Sequence, residues 1–287
     1  RDYKVTGVQT CALPISAANA RGEIFFNDVG NAKTYRVTPD WKAEVWLDDS
    51  RKGDGQSFAA DGRLVAAAGG DMAILAWDTA KQPTRLAQGW RGNDLVVNAA
   101  GTIYVTEPGW DGKTPSRIHC LKPGDGGTYT DTVVDTGLRF SNGLCLSPDQ
   151  TLLYVADTRG HWVWSYQVQA DGSLAHKQRF YHLHVPDTAD DSGADGMRVD
   201  RDGRLWVATR MGIQICDQAG RVTCIIPTPN GRLSNLCFGG PDFTTVLATC
   251  GDKVYARKVK PAGAPNFLAP FAPAKPKLDR KSTRLNS

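Results

Sequence analysis

Five oxygen-bearing side chains recur at one register in this chain: Asp54, Asn93, Asn142, Asp195 and Asn235. Each stands eight residues before a turn marker (Gly62, Gly101, Gly203, Phe243), or nine before Thr151 in the case of Asn142. His and Cys are missing from the set. Brought together, such carboxylate and amide oxygens suit a hard divalent cation: Ca²⁺ first, then Mg²⁺ or Mn²⁺, with Zn²⁺ also admitted. A local account competes with this one. Asp54, Asn142 and Asp195 each precede glycine, and Asn or Asp before glycine readily bonds its own backbone in a turn. Five such residues in one register weigh against it.

The register belongs to a repeat. A small polar turn followed by a short apolar strand recurs as R21-GEIFFND, D61-GRLVAAAGGD, A100-GTIYVTEP, Q150-TLLYVADT, D202-GRLWVATR and D242-FTTVLAT. The markers Gly22, Gly62, Gly101, Thr151, Gly203 and Phe243 are spaced by 40, 39, 50, 52 and 40 residues. A period of this length with strand–turn–strand content reads as propeller blades. The segments are β-branched and aromatic and lack the three-and-four spacing of helical repeats. The expected fold is all-β, a six-bladed β-propeller with its first blade truncated. Innermost strands of a propeller begin at one mouth of the central channel, so the five oxygen donors should converge there. The following strands return to that mouth and end at Asn27, Asp28, Asp71, Glu107, Asp157 and Arg210, with Arg91 two residues before Asn93. Trp77, Trp162 and Trp164 read as packing residues, and His182 and His184 as packing or surface residues.

Composition narrows the class. Hydrophobic residues make up 41% and charged residues 22%, as in ordinary globular chains. No run of about 18 apolar residues exists to cross a membrane as a helix. The formal charge is +4, of which the two ends supply +3; a body near +1 offers no nucleic-acid surface. The seven cysteines show no CxxC spacing, which argues against a zinc cluster. Residues 1–16 and 279–287 do not share the body's periodicity and resemble translated adapter read-through, so they are set aside as a non-native leader and tail. Residues 17–278 then form a single propeller domain. Localisation and oligomeric state are not read from this sequence.

Several stretches carry a resemblance: RGNDLVV with IYVTEP, SNGLCLSPDQTLLYVADT, ADGMRVDRDGRLWVATR and SNLCFGG. Spread from about Gly22 to Lys260, they resemble the senescence marker protein/gluconolactonase (regucalcin-like) family of six-bladed, metal-dependent lactonases. The resemblance implies that Asn142 and Asp195 are metal ligands and that Asp195 is the general base. It implies that Arg91 and Asn93 hold substrate and that Glu107 lies near an acidic substrate contact. One departure stands out. The family's remaining ligand, a Glu, falls at position 14, where this chain has Pro14; Glu23 lies past the marker.

The expected function is hydrolysis of a small sugar-acid lactone at the channel mouth by a metal-assisted mechanism. A phosphotriester or aryl-ester hydrolase on the same cation is the alternative enzyme. A non-catalytic ligand-binding propeller with a structural ion is the alternative of a different class.

Overall fold

Turns at the repeat markers set the architecture. The computed structural model describes residues 2–6 and 15–275. In four copies the marker glycine has a left-handed φ, between 75° and 86°, a conformation that costs glycine little and other residues about 1–2 kcal/mol. Gln150 (φ 57°) and Phe243 (φ 53°) occupy the same place in the other two. The left-handed residue of the fourth copy is therefore Gln150, not Thr151. It lies eight residues after Asn142, so the fourth copy keeps the interval of the others and the nine-residue spacing to Thr151 is corrected.

The strands assemble into six antiparallel four-stranded sheets. Blade I holds β2 (Ser16–Ala18), β3 (Ile24–Asp28), β4 (Lys33–Val37) and β5 (Ala43–Leu47). Blade II holds β6 (Gly53–Phe58), β7 (Leu64–Ala68), β8 (Ala73–Trp77) and β9 (Pro83–Gln88). Blade III holds β10 (Leu95–Val97), β11 (Ile103–Glu107), β12 (Arg117–Pro123) and β13 (Tyr129–Thr136). Blade IV holds β14 (Ser141–Leu146), β15 (Leu152–Asp157), β16 (Trp162–Val168) and β17 (Leu174–His182). Blade V holds β18 (Met197–Val199), β19 (Leu205–Thr209), β20 (Gly212–Cys216) and β21 (Val222–Ile226). Blade VI holds β22 (Leu233–Gly239), β23 (Thr245–Cys250) and β24 (Lys253–Lys258), and its outermost strand is β1 (Asp2–Lys4). Innermost strands touch their neighbours in the circular order β2, β6, β10, β14, β18, β22 and back to β2. This is the six-bladed propeller that the repeat predicts.

Part of the segment set aside as a leader is built into this ring. Asp2, Tyr3 and Lys4 pair with Arg257, Ala256 and Tyr255, Val5 is buried, and so is Ile15. The expected truncation of blade I is corrected accordingly: the blade has four strands, and its three-residue β2 is as long as β10 and β18. The sixth blade, which lacks a fourth strand of its own, takes it from the other end of the chain, so the sheet edge of β24 is covered where β1 pairs.

The core lies between blades. Val65, Ala67 and Ile74 of blade II pack on Leu95, Val97, Ile103 and Val105 of blade III, and Trp206 and Ile213 of blade V meet Leu236, Phe238 and Val246 of blade VI. Each large side chain buried this way contributes about 1.5–3 kcal/mol. Trp77 is buried as expected. Trp162 and Trp164 are half-buried; Trp164 packs against the blade III–IV core under the Arg179 guanidinium. His182 and His184 are exposed. Five of the cysteines are buried and unpaired, and Cys224 is exposed. No helix among the described residues is long and apolar enough to cross a membrane.

After β24 the chain runs across the turn end of the channel. Ala264 N–H donates to Val199 O at 3.0 Å. Asn266 Nδ2 donates to Ser57 Oγ (3.1 Å), Phe58 O (3.3 Å) and Val97 O, while its own carbonyl accepts Gln150 Nε2 (2.7 Å). This strap links blades II to V and leaves the opposite mouth, where the five register residues begin their strands, as the one to consider for chemistry.

Candidate active site

The residues after the register positions explain how the mouth is built. A Cβ on Gly143 would collide with the carbonyl oxygen of Asp195, and one on Gly196 with the side chain of Asn235. These glycines therefore serve close approach between neighbouring innermost strands, and the turn account of the Asx–Gly pairs does not hold. Gly55 N–H donates to Asn93 O at 2.6 Å in the same kind of approach between blades II and III. In blade III the corresponding position is Asp94, which is wholly buried. Sequence reasoning passed over Asp94; the available signal was an acid at the place that three other copies give to glycine.

Asp54, Asp94 and Asp195 sit within electrostatic reach of one another. Burial pushes the Asp54 carboxyl up to about 7, the nearby Asp94 charge adds to this, and Arg91 opposes it. Burial likewise raises Asp94 to about 6, against the pull of the Arg198 guanidinium and two backbone N–H groups. Asp195 is raised well above the ordinary carboxylate range by burial and then by Asp54 and Asp94; the Gly196 N–H and the Asn142 amide only partly offset this. Like charges gathered in a poorly hydrated place resist joint ionisation.

Several oxygens at the same positions have no partner. Asn142 Nδ2 donates to Thr158 Oγ1 at 2.9 Å, which leaves its Oδ1 buried and unpaired, as are Asn93 Oδ1, Asp94 Oδ2 and both side-chain polar atoms of Asn235. A buried polar atom left unsatisfied costs about 1–3 kcal/mol. An oxygen-lined mouth with surplus negative charge and unpaired amide oxygens fits a hard cation in donor type and in charge. Pro14, the first copy's register position, lies outside the described residues.

Arg91 joins the group. Its guanidinium stacks 4.0 Å above the Trp110 ring, and its carbonyl accepts Trp110 Nε1–H at 3.0 Å. Glu107 turns its charge to its own blade: Oε2 is engaged by His119 Nε2 at 3.1 Å and Arg117 Nη1 at 3.4 Å. The other strand-end residues serve local structure. Asn27 Nδ2 donates to Asp54 O (2.8 Å), Asp28 accepts two bonds from Asn31, and Asp157 accepts the backbone N–H groups of Arg139 and Phe140. Asp71 faces Arg85, and Arg210 pairs with Asp191.

Comparison with known proteins agrees with this architecture. The model of the SMP-30/Gluconolactonase/LRE-like region matches residues 15–251. A gluconolactonase of Zymomonas mobilis is 26% identical over 222 residues, which are 71% of this chain and 62% of that protein, so the chain spans about three fifths of that relative's length. A pentonolactonase of Haloferax volcanii is 25% identical over 79% of this chain and 76% of its own. Among solved structures, a gluconolactonase from Xanthomonas campestris superimposes with a TM-score of 0.78 at 25% identity, covering 91% of this chain and 89% of that one. A calcium-binding regucalcin from Agrobacterium tumefaciens gives the same TM-score at 17% identity, over 93% and 97% of the two chains, and shares the fold. With six blades in a closed ring and a family match running from β2 to the end of β23, the chain belongs to the SMP-30/gluconolactonase/LRE-like family.

Proposed function

We propose that the protein hydrolyses a small sugar-acid lactone at the open mouth with the help of a divalent cation, Ca²⁺ first among candidates. The observation that carries this reading is the unpaired Oδ1 of Asn142 beside the charge-crowded carboxylate of Asp195. Asn142 and Asp195 would hold the ion. When bound, a divalent cation supplies Lewis-acid polarisation of a carbonyl and acidifies water. Positive charge at this place would favour the ionised form of Asp195 against the burial and the Asp54 and Asp94 charges that oppose it. Asp195 then accepts the proton of the water whose oxygen bonds to the lactone carbonyl carbon. The ring ester C–O bond breaks, and the ring oxygen leaves as a hydroxyl by taking up the proton that Asp195 had accepted. Arg91 and Asn93 orient the lactone through its hydroxyl and carbonyl oxygens. Glu107, steadied by His119 and Arg117, contributes from the rim. A positioned acid–base group of this kind contributes about 10²–10⁴-fold.

The test is proton release from an aldonolactone with added Ca²⁺ and with excess chelator. Chelator-sensitive hydrolysis supports the reading. If the lactone is not opened in either condition while chelation still lowers thermal stability, the ion is structural and the propeller is a binding module. Turnover of phosphotriesters or aryl esters without lactone turnover would move the activity to that class.

A further inference from the structure

The rim above this site sorts its arginines into two groups. Arg51, Arg85, Arg117 and Arg210 each pair with a carboxylate, of Asp49, Asp71, Glu107 and Asp191 respectively. Arg91, Arg139 and Arg159 pair with none among the described residues, and they occupy one arc over blades III and IV. The arc is built on aromatic rings. Arg91 lies over Trp110; Trp110 meets Phe140 edge to face at 5.8 Å; the Arg159 guanidinium lies 4.9 Å from the Phe140 ring; Arg139 Nη1 holds Arg159 O at 3.2 Å. The acids nearest in sequence are already engaged. Asp111 accepts Lys113 N–H, Thr114 N–H and the Thr114 hydroxyl within its own turn. Asp157 accepts two backbone N–H groups.

Both ends of the arc are rooted beside the site. Arg91 is two residues from Asn93, and Phe140 is two residues from Asn142. Arg159 follows Thr158, whose hydroxyl oxygen accepts the hydrogen bond of the Asn142 amide. The platform between them is the Trp110 indole, 41% exposed.

We infer that the mouth selects lactones that carry a second, anionic group, a carboxylate or phosphate on the carbon chain away from the ring ester, with Arg159 and Arg139 as specificity-determining residues. Guanidinium groups with no carboxylate ion pair among the described residues keep N–H donors available for charge-assisted bonds to such a group. A sugar bound beside the Arg91–Trp110 stack would direct its far end along the arc toward Phe140 and Arg159, with its ester toward Asn93 and Asn142. The carboxylates below do not oppose this, because the cation that the proposed function places there offsets them. This inference names the substrate class of the lactonase reading and rests on it.

The experiment compares D-glucaro-1,4-lactone with D-glucono-1,4-lactone, which differ by a carboxylate in place of a hydroxymethyl group. Assays contain Ca²⁺ and run from about 0.05 to 0.5 M NaCl, a range over which screening of exposed charges becomes strong. Titration calorimetry of the open acids D-glucarate and D-gluconate gives a readout that does not depend on turnover. The expected result is a kcat/KM ratio favouring the anionic lactone by about tenfold or more at low salt, the scale of one charge-assisted hydrogen bond. That ratio should fall with salt, and should fall about tenfold in R159Q and in R139Q. Equal kcat/KM for the two lactones, with a ratio unmoved by R159Q, overturns the inference and leaves the lactonase reading standing. If neither lactone is opened but D-glucarate binds more tightly than D-gluconate and R159Q removes the difference, the anion cradle stands and the lactonase reading fails. No turnover and no discrimination overturn both.

Discussion

The imidazole of His119 stacks on the indole of Trp90, with ring centroids 3.8 Å apart and planes 16° from parallel. The same imidazole bridges two carboxylates: Nδ1 lies 2.8 Å from Asp131 Oδ1, and Nε2 lies 3.1 Å from Glu107 Oε2. Trp90 Nε1–H closes the cluster on Asp131 Oδ2 at 2.8 Å. Burial pushes the Asp131 carboxyl up, but the bonds from His119 and Trp90 outweigh it and bring the group below its ordinary range. The cluster ties β11, β12 and β13 to the segment that carries Arg91, one residue beyond Trp90.

Removing the donor should therefore loosen blade III. His119→Phe keeps the stack on Trp90 but leaves Asp131 and Glu107 without the ring nitrogens that they share. Stability should fall by about 1–3 kcal/mol, measured as a lower urea midpoint at unchanged m-value. If His119→Phe unfolds at the wild-type midpoint, the bridge contributes nothing net to stability.

The strongest functional prediction concerns Asp195. Asp195→Asn should lower lactone turnover by about 10²–10⁴-fold and leave cooperative unfolding intact. In chelator the variant should match or exceed the stability of the parent, because a like charge beside Asp54 and Asp94 has gone. Asn142→Ala should instead weaken Ca²⁺ binding in a calorimetric titration, because its unpaired Oδ1 goes. An activity loss in Asp195→Asn matched by an equal loss of cooperative unfolding would make Asp195 a structural residue.

The crowded carboxylates also fix the sign of a pH effect. Asp54 titrates near 7 and Asp94 near 6 in the folded chain, both above the unfolded value near 4. Between about pH 4 and 7 the folded state thus holds protons that the unfolded state has released, so stability falls as pH rises. Carboxylates held below their usual range, such as Asp131 and Asp217, act at lower pH and are finished titrating by about pH 5. The midpoint of thermal unfolding in chelator should decline from pH 5 to pH 8. Added Ca²⁺ should raise it more at pH 8 than at pH 5, because positive charge nearby offsets a repulsion among the carboxylates that is greatest when they are ionised. A chelated protein that gains stability across this range would mean that the three carboxylates are not grouped at one mouth.

Much of this arrangement is legible in residue order because it depends on period. The marker turns repeat a backbone requirement, and the register residues repeat a position on a strand, so both leave a spacing. What escaped the sequence depends on contacts between distant segments. Asp94 breaks the Asx–Gly pattern, and its importance shows only when blades II and III meet. Gln150 takes a left-handed conformation without being glycine, which hid the common eight-residue interval. Glu107 has the right type and strand position, yet its charge turns toward His119, a partner twelve residues on across β12. Ring closure by Asp2–Lys4 carries no periodic signal, because three residues of edge strand are too few to show one.

The strap across the opposite end of the channel offers a separation of stability from chemistry. Phe267 is 9% exposed and packs into a cluster with Phe25, Phe58 and Leu64, while Asn266 beside it donates to carbonyls of blades II and III. Phe267→Ala removes a large ring from a site whose neighbours are held by their own sheets and cannot close in, so a loss of about 3–5 kcal/mol follows. Asn266→Ala strips donors from buried carbonyls at about 1–3 kcal/mol. Both residues lie at the turn end, whereas Asn93, Asn142 and Asp195 begin their strands at the other. Lactone kinetics measured well below the unfolding temperature should therefore keep the parental KM and kcat in both variants, with the loss confined to the denaturation midpoint. A fall in kcat at intact fold would show that the strap sets the spacing of the innermost strands along their whole length, and hence the geometry at the open mouth.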